Sequence, residues 1–361
     1  MVQSEAHRGN VGEWSELYTL GYLLVHGGAY AADEHQNPIP DIFHKILQVY
    51  LAEKTGMPET NYIVNSKDIA ILVSGNEVAR IERSLIQTAI NLLLTDLTNG
   101  KHSKTFALAS GNDLLKLIRR TRISASSSEH ENDLELVLED QVTSSPTPRV
   151  GFNIKSQIGG RSTLLNASGA TNFVYRIVPN SSEVKSAYPE FKHGKHGLNL
   201  KALYDAGFHL QFENISSQVF YNNLTLLDMQ FPNYLAKVLL HSYISGEKSF
   251  AHAVKTVFPE SNLNSKQPVF KIKEFLGAVA MGLRPTTEWD GDTTKFSGIL
   301  VVKANGEIVF YYLYNRKNFE EHLFTNVAFE RASTSRHKYG EIYSENGIDK
   351  IRLNLQIRFT S

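Results

Sequence analysis

Two short stretches of this sequence carry residue types that could do chemistry together. In 133–140 (DLELVLED) the alternation puts Leu134, Leu136, Leu138 and Asp140 on one face; in 150–157 (VGFNIKSQ) it puts Asn153, Lys155 and Gln157 on one face. The segment TSSPTPR between them supplies turn chemistry, so the pair reads as a β-hairpin. Folding it is expected to bring Asp140 beside Asn153 and Lys155 at one end of a sheet. A carboxylate there can hold a divalent cation. The lysine can polarise or orient an attacking water and offset phosphate charge, which amounts to metal-assisted hydrolysis. On spacing alone an acid and a lysine on neighbouring strands are more often an ordinary surface pair, so the rest of the chain has to decide.

Rival chemistries fall away one by one. Gly159-Gly160-Arg161-Ser162-Thr163 lacks the lysine of a Walker loop, no GxGxxG follows a strand, and neither GxSxG nor HExxH occurs. His193 and His196 in HGKHG read as a solvated basic loop before a metal pair. The HxK of His102 and of His193 lacks the acid that a phospholipase-D-type nuclease needs, since Ala109 and Leu200 stand there. Without a single Cys the chain can form no disulfide, zinc–thiolate site, iron–sulfur cluster or thiol nucleophile. Lys+Arg and Asp+Glu both total 37, which leaves no net basic bias but permits a basic face. No apolar run approaches the roughly 20 residues of a membrane span, and the first residues lack a signal peptide's apolar stretch, so a cytoplasmic protein is expected.

The elements that must position the hairpin are legible in outline. A helix is expected over 14–25, stopped by Gly27-Gly28, and another over 41–51 after Pro38-Ile-Pro40. A strand pair is expected in 61–73, a long amphipathic helix over 77–97 and a short basic helix over 113–122. A Ser-rich connector over 124–133 separates this region from the hairpin. Further strands are expected at 172–178, 206–211, 297–302, 307–313 and 351–359, with helices at 233–243, 250–257 and 269–282. This order argues for a mixed α/β fold rather than a regularly alternating parallel sheet.

Four blocks now bear on the hairpin: GNVGEWSELYTLGYLL (9–24), GFNIKSQIGGRSTLLNASGATNFVYRI (151–177), GILVVKANGEIVFYYLYNRKNFEEHLF (298–324) and KYGEIYSENGIDKIRLNLQIRF (338–359). In this order they resemble the HpaII-type restriction endonucleases, from near the first residue to the last. The resemblance implies a type II restriction enzyme with a PD-(D/E)XK-like nuclease core, a central mixed sheet flanked by helices that hydrolyses DNA phosphodiesters with Mg²⁺. It implies a single elaborated nuclease domain over 1–361: a first core helix in 1–32, a mostly helical insertion over 33–128, and the catalytic sheet and DNA-recognition region over 129–361. Asp140 would be the metal-binding acid and Lys155 the motif lysine. Asn153 falls where the motif has its second acid, so that carboxylate is expected from the first helix. Glu13 and Glu16 sit one turn apart there. Glu16 is preferred, because Glu13 near the helix start also serves the helix dipole. Gln157 could act as a neutral oxygen ligand or water hook.

For DNA contact the sequence offers Arg161, Ser162, Thr163, Asn166 and Ser168 after the lysine strand, and Ser335, Arg336, His337 and Lys338 near the C-terminus, in a stretch that opens with Arg331. Arginine and asparagine can read base edges, while hydroxyls and cations hold phosphates. The clusters Lys116–Arg122 and Lys192–Lys195 would meet phosphate, or nothing. The implied partner is double-stranded DNA at a short palindrome, CCGG by resemblance, cut by a possible homodimer, with a cognate methyltransferase protecting the host and no membrane involved. Two other readings stay open: a DNA-binding protein on a nuclease fold that has lost catalysis, and a nuclease specific for DNA structure.

Overall fold

The computed structural model describes residues 6–51, 58–100, 104–124, 132–188, 196–291, 296–312 and 316–360. The chain divides into two compact units, Met1–Ser162 with Thr293–His322, and Thr163–Asp292 with Leu323–Thr360.

The first unit is built on a mixed sheet of β1 (Gly28–Ala32), β2 (Pro38–Leu51), β3 (Thr60–Val64), β4 (Asp68–Val73), β5 (Asn76–Glu82), β6 (Leu134–Leu138), β7 (Val150–Ser156), β11 (Phe296–Val302) and β12 (Ile308–Tyr312). Their order is β1-β12-β11-β7-β6-β2-β3-β4-β5, with β1 also pairing β2. β7 lies at the centre, antiparallel to β6 and parallel to β11. Helices α1 (Val11–His26), α2 (Arg83–Asn99) and α3 (Ala109–Leu117) share a core with the sheet, in which Trp14, Leu17 and Leu20 join Phe152, Ile154, Leu300 and Phe310. α10 (Arg316–Thr325) spans the point where the chain passes into the second unit.

Local chemistry sets the helix ends. Asn10 accepts from Glu13 N while Glu13 accepts from Asn10 N, a capping box that opens α1. Gly27 in the left-handed conformation closes it. Gly21 lets α2 approach, since a Cβ there would lie 2.4 Å from Ile90 Cγ2.

The stretch 33–128, expected to be mostly helical, contributes strands β2–β5 to the sheet as well as α2 and α3. Residues 41–51 carry Ile42, Ile46 and Tyr50 four apart, which imitates a helical stripe. Pairing decides otherwise: the first half of β2 bonds to β1 and the second half to β6 and β3. The helix expected from residue 77 begins at Arg83, because 76–82 pairs with β4.

The second unit holds two antiparallel sheets. One is β10-β9-β15-β14, from β9 (Asn172–Val178), β10 (His209–Ile215), β14 (Ile342–Glu345) and β15 (Ile348–Asn354). The other is β13-β16-β8, from β8 (Thr163–Leu165), β13 (Val327–Phe329) and β16 (Ile357–Phe359). Helices α4 (Val184–Ala187), α5 (His196–Asp205), α6 (Gln218–Leu227), α7 (Phe231–Ser245), α8 (Phe250–Val257), α9 (Lys266–Ala280) and α11 (Thr334–His337) complete it. The buried Tyr175 and Tyr243 hydroxyls donate to Ala236 O at 2.8 Å and Asn354 O at 3.0 Å, which ties the larger sheet to α7. Helices expected at 233–243, 250–257 and 269–282 are α7, α8 and α9. The strand expected at 206–211 is displaced to β10, and 351–359 splits into β15 and β16. Among the described residues no helix is long and apolar enough to cross a membrane.

Candidate active site

The hairpin forms, but its register separates the pair the sequence suggested. Leu134 lies opposite Phe152 and Leu136 opposite Val150. Beyond the end of β6, Asp140 N donates to Ser145 O. Asp140 is thus level with residue 145, which precedes β7, whereas Lys155 lies near the far end of that strand, five residues or roughly 17 Å past Val150. The expectation of Asp140 beside Asn153 and Lys155 is corrected accordingly. Alternation fixed its face but not its level. The carboxylate is spent on the turn: Oδ1 accepts from Val142 N, Thr143 N and Thr143 Oγ1 at 3.0, 2.7 and 2.9 Å. Those bonds, Thr143 N first, hold its carboxyl below the usual range.

The acid that does reach the lysine strand is Asp133, at the start of β6. Its Oδ2 accepts the Ile154 amide at 2.6 Å, and its own amide donates to Phe152 O at 3.1 Å. β6 ends its pairing at Leu134, so the Asp133 side chain takes over the next ladder position. This seats a carboxylate on the Asn153–Ile154 peptide, one residue before Lys155. Alternation alone does not single Asp133 out, although an antiparallel hairpin supplies the signal: the start of one strand lies beside the end of the next.

Phe152 and Ile154 belong to the core beneath α1, so Asn153 and Lys155 occupy the opposite face of β7. Asn153 is buried and Lys155 half-buried. Past β7 the chain stays extended, with Gln157 N donating to Val302 O at 2.8 Å. The Gln157 side chain donates through Nε2 to Gln36 Oε1 at 2.9 Å. At the end of neighbouring β11, Lys303 pairs with Glu307 at 2.6 Å, a further charged pair the sequence did not single out.

The two helix glutamates separate. Glu13 Oε2 accepts from Asn10 N at 2.7 Å and serves the cap. Glu16 is half-buried in the middle of α1, and α1 packs along β7. Glu16, Asp133, Asn153, Lys155 and Gln157 all engage neighbouring groups. Among the described residues no three Asp, Glu or His side chains form a ready metal cluster.

The DNA-contact candidates divide between the units. Arg161 (exposed) and Ser162 (half-buried) end the first unit, after Gly159 and Gly160 at φ 74 and 145. In the second unit Thr163 pairs with Arg358 and Asn166 is exposed. Ser168 has a structural task, capping the turn at 169–171 with its side chain. Ser335 and Arg336 are exposed on α11, His337 is half-buried, and exposed Lys338 closes α11 at φ 51. A buried asparagine pair ties both stretches together. Asn354 Nδ2 donates to Ser168 O at 2.8 Å and to Asn172 Oδ1 at 2.7 Å, and Asn172 Nδ2 donates to His337 O at 2.8 Å. Arg331 turns inward, its guanidinium 3.7 Å from the centre of the Tyr243 ring and bonded to Ser242. Residues 192–195, including His193, lie outside the described residues.

Comparison with known proteins bears on this arrangement. The family model of the HpaII restriction endonucleases matches residues 10–359. The chain is 36% identical over 365 aligned residues to the type II restriction enzyme HpaII of Haemophilus parainfluenzae, covering 99% of each. No solved structure matches it. A match from the cap of α1 to the last strand takes in both units and the Asp133–Lys155 hairpin, and the chain belongs to the HpaII restriction endonuclease family.

Proposed function

We propose that this protein is a Mg²⁺-dependent type II restriction endonuclease with a PD-(D/E)XK-like core, cutting double-stranded DNA at a short palindrome, with CCGG the first sequence to test. The observation that carries the reading is the Asp133 carboxylate seated on the Ile154 amide, between Asn153 and Lys155. The donor set suits a small hard cation. It offers carboxylate and side-chain amide oxygens and no soft ligand, and Mg²⁺ commonly takes one or two carboxylates and fills its remaining positions with water and substrate phosphate. When bound, the cation would neutralise charge at the scissile phosphate.

The chain's own residues divide the remaining work. Asp133 and the Asn153 amide oxygen hold the cation. Lys155 orients the water and stabilises negative charge on the phosphorane, a contribution of about 10²–10³ in rate. Gln157 accepts from the water. Arg161, Ser162, Thr163 and Asn166, with Ser335, Arg336, His337 and Lys338, grip and read the DNA. A homodimer matches a palindromic target, a cognate methyltransferase protects the host, and the setting is the cytoplasm.

The test is digestion of unmethylated plasmid DNA with Mg²⁺ or EDTA, followed by sequencing of the ends. Discrete Mg²⁺-dependent fragments that disappear in Asp133→Asn and Lys155→Ala but persist in Asp140→Ala are expected. Loss of cutting in Asp140→Ala with Asp133→Asn active would overturn the assignment of the acid. Asn153 at the second acid position favours one other reading, a protein that binds a site without cutting. Salt-sensitive specific binding with intact DNA in both Mg²⁺ and Mn²⁺ would select it.

A further inference from the structure

We infer that Gln36 is a positioning residue for DNA cleavage, acting through the side-chain amide of Gln157; the inference rests on β7 being the catalytic strand. Gln36 sits in the turn between β1 and β2 at φ 66, a left-handed conformation. For a residue with a Cβ this conformation is unfavourable, and glycine or asparagine adopts it more readily. Backbone geometry alone therefore gives no reason for glutamine. The side chain gives one: Gln36 is 8% exposed, and its Oε1 takes the Nε2–H of Gln157 at 2.9 Å. A non-glycine residue in so unfavourable a conformation points to a use for its side chain.

The turn that carries Gln36 is braced beyond what a connection between two strands requires. Asp33 Oδ1 accepts from His35 N and Asn37 N, both at 2.8 Å, and Gln36 N closes onto Asp33 O at 3.1 Å. From β12 the Tyr311 hydroxyl donates to the same Asp33 carbonyl at 2.5 Å. From α10 the His322 ring stacks on Tyr311, centroids 4.0 Å apart and planes 18° apart, and bonds to the main chain of Glu34. Both rings are buried. Side chains from two further elements thus fix the level at which one amide is presented to the end of β7.

The consequence for chemistry lies in the Gln157 amide. Donating Nε2 to Gln36 settles which way that amide faces and leaves Oε1 as its acceptor end. Gln157 is two residues beyond Lys155 on the same edge of an extended chain. An amide oxygen fixed there accepts from the attacking water that Lys155 orients. Gln36 touches neither water nor phosphate.

Single-turnover cleavage of a target duplex in Mg²⁺ tests this, alongside DNA affinity in Ca²⁺ and the melting temperature. Gln36→Gly keeps the left-handed turn and removes the amide. The rate is expected to fall about 10–100-fold, the usual effect of losing an outer partner, with affinity and melting temperature held or raised. Gln36→Glu keeps an acceptor for Gln157 Nε2. It should restore the rate near neutral pH and add a loss on the acid side, where the new carboxyl protonates. Gln36→Gly at the parental rate, with Lys155→Ala inactive, overturns this inference alone. A loss of rate accompanied by equal losses of affinity or melting temperature overturns it too, as does failure of Gln36→Glu to recover. Full activity of Lys155→Ala overturns the reading of the strand itself, and this inference with it.

Discussion

The first unit should lose stability steeply in mild acid, because two of its histidines are built in neutral. Burial pushes His322, beneath the 33–37 turn, from 6.5 down to about 4. His44, edge-on to Phe310 and Tyr312, is pushed by burial to about 4 as well. In the unfolded chain each takes up its proton near pH 6.5. Between those values the unfolded chain binds protons that the native one does not, so stability falls as pH drops from about 6.5 to about 4 and levels off below. Each full shift, about 2.5 pH units, is worth on the order of 3 kcal/mol. Lowering the pH from 7.5 to 5 should then cost about 2 kcal/mol per histidine, or about 4 for both, a large part of a typical stability of 5–15. Trp14 is fully buried in this unit and Trp289 lies in the other, so Trp289→Phe makes fluorescence a reporter of the first unit alone. Urea titrations of that variant at pH 7.5, 6 and 5 measure the slope. Adding His322→Gln should halve it, and the slope is the readout because the smaller side chain also leaves packing unfilled. A parental loss under about 1 kcal/mol, or an unchanged slope in the His322 variant, would refute the reasoning.

Three further outcomes follow from named contacts. A Cβ at Gly298, where φ is 156, would lie 1.9 Å from Tyr311 O, so Gly298→Ala should cost about 3 kcal/mol or more in urea unfolding. Asn354→Ala removes the donor that ties Ser168, Thr171 and Asn172 together. It should cost about 1–3 kcal/mol and relax discrimination against duplexes with one altered base pair, scored by cleavage of a mismatch panel. Arg161→Ala and Arg336→Ala, both at exposed positions, should each lower the slope of log affinity against log salt by about one if their guanidinium groups meet phosphate; an unchanged slope in both would remove those two residues from the interface.

Much of the fold was legible where one physical signal dominated. α1 has its cap at Asn10 and its stop at Gly27, and β9 has a compact run of β-branched and aromatic residues, so both appear close to where the sequence puts them. Sequence and structure part where two periods compete. In 41–51 the spacing of Ile42, Ile46 and Tyr50 satisfies a helix, yet the strand wins because β1, β3 and β6 all offer partners along its length. Such pairing comes from residues far away in sequence and has no local mark. Gln36 and Asn354 were silent for the same reason. Each is a single amide in an ordinary context, and only the fold brings it to Gln157 or to Ser168.

The acid at the site was within reach of the sequence, and the reason it was misplaced is instructive. DLELVLED has an aspartate at each end, and alternation assigns Asp140 the face of the buried leucines. A hairpin imposes a second condition: the positions of paired residues sum to a constant, here set by Leu134 opposite Phe152. Any acid that meets Lys155, near the end of the second strand, must stand at or before the start of the first. Asp133 meets that condition and Asp140, beside the turn, does not. Alternation also sets Asp133 apart from the leucines, but the strand has not begun there, and its side chain is free to take the in-plane position of a main-chain acceptor opposite Ile154 N. A carboxylate held in the plane of the sheet by an amide of the lysine strand has its height and distance fixed by the backbone rather than by its own rotamer. Asp133→Glu, one methylene longer, should therefore fold normally and cut far more slowly than the parent, because the carboxylate can no longer keep both the Ile154 amide and its place at the cation. A fully active Asp133→Glu enzyme would show that the amide bond does not position the acid.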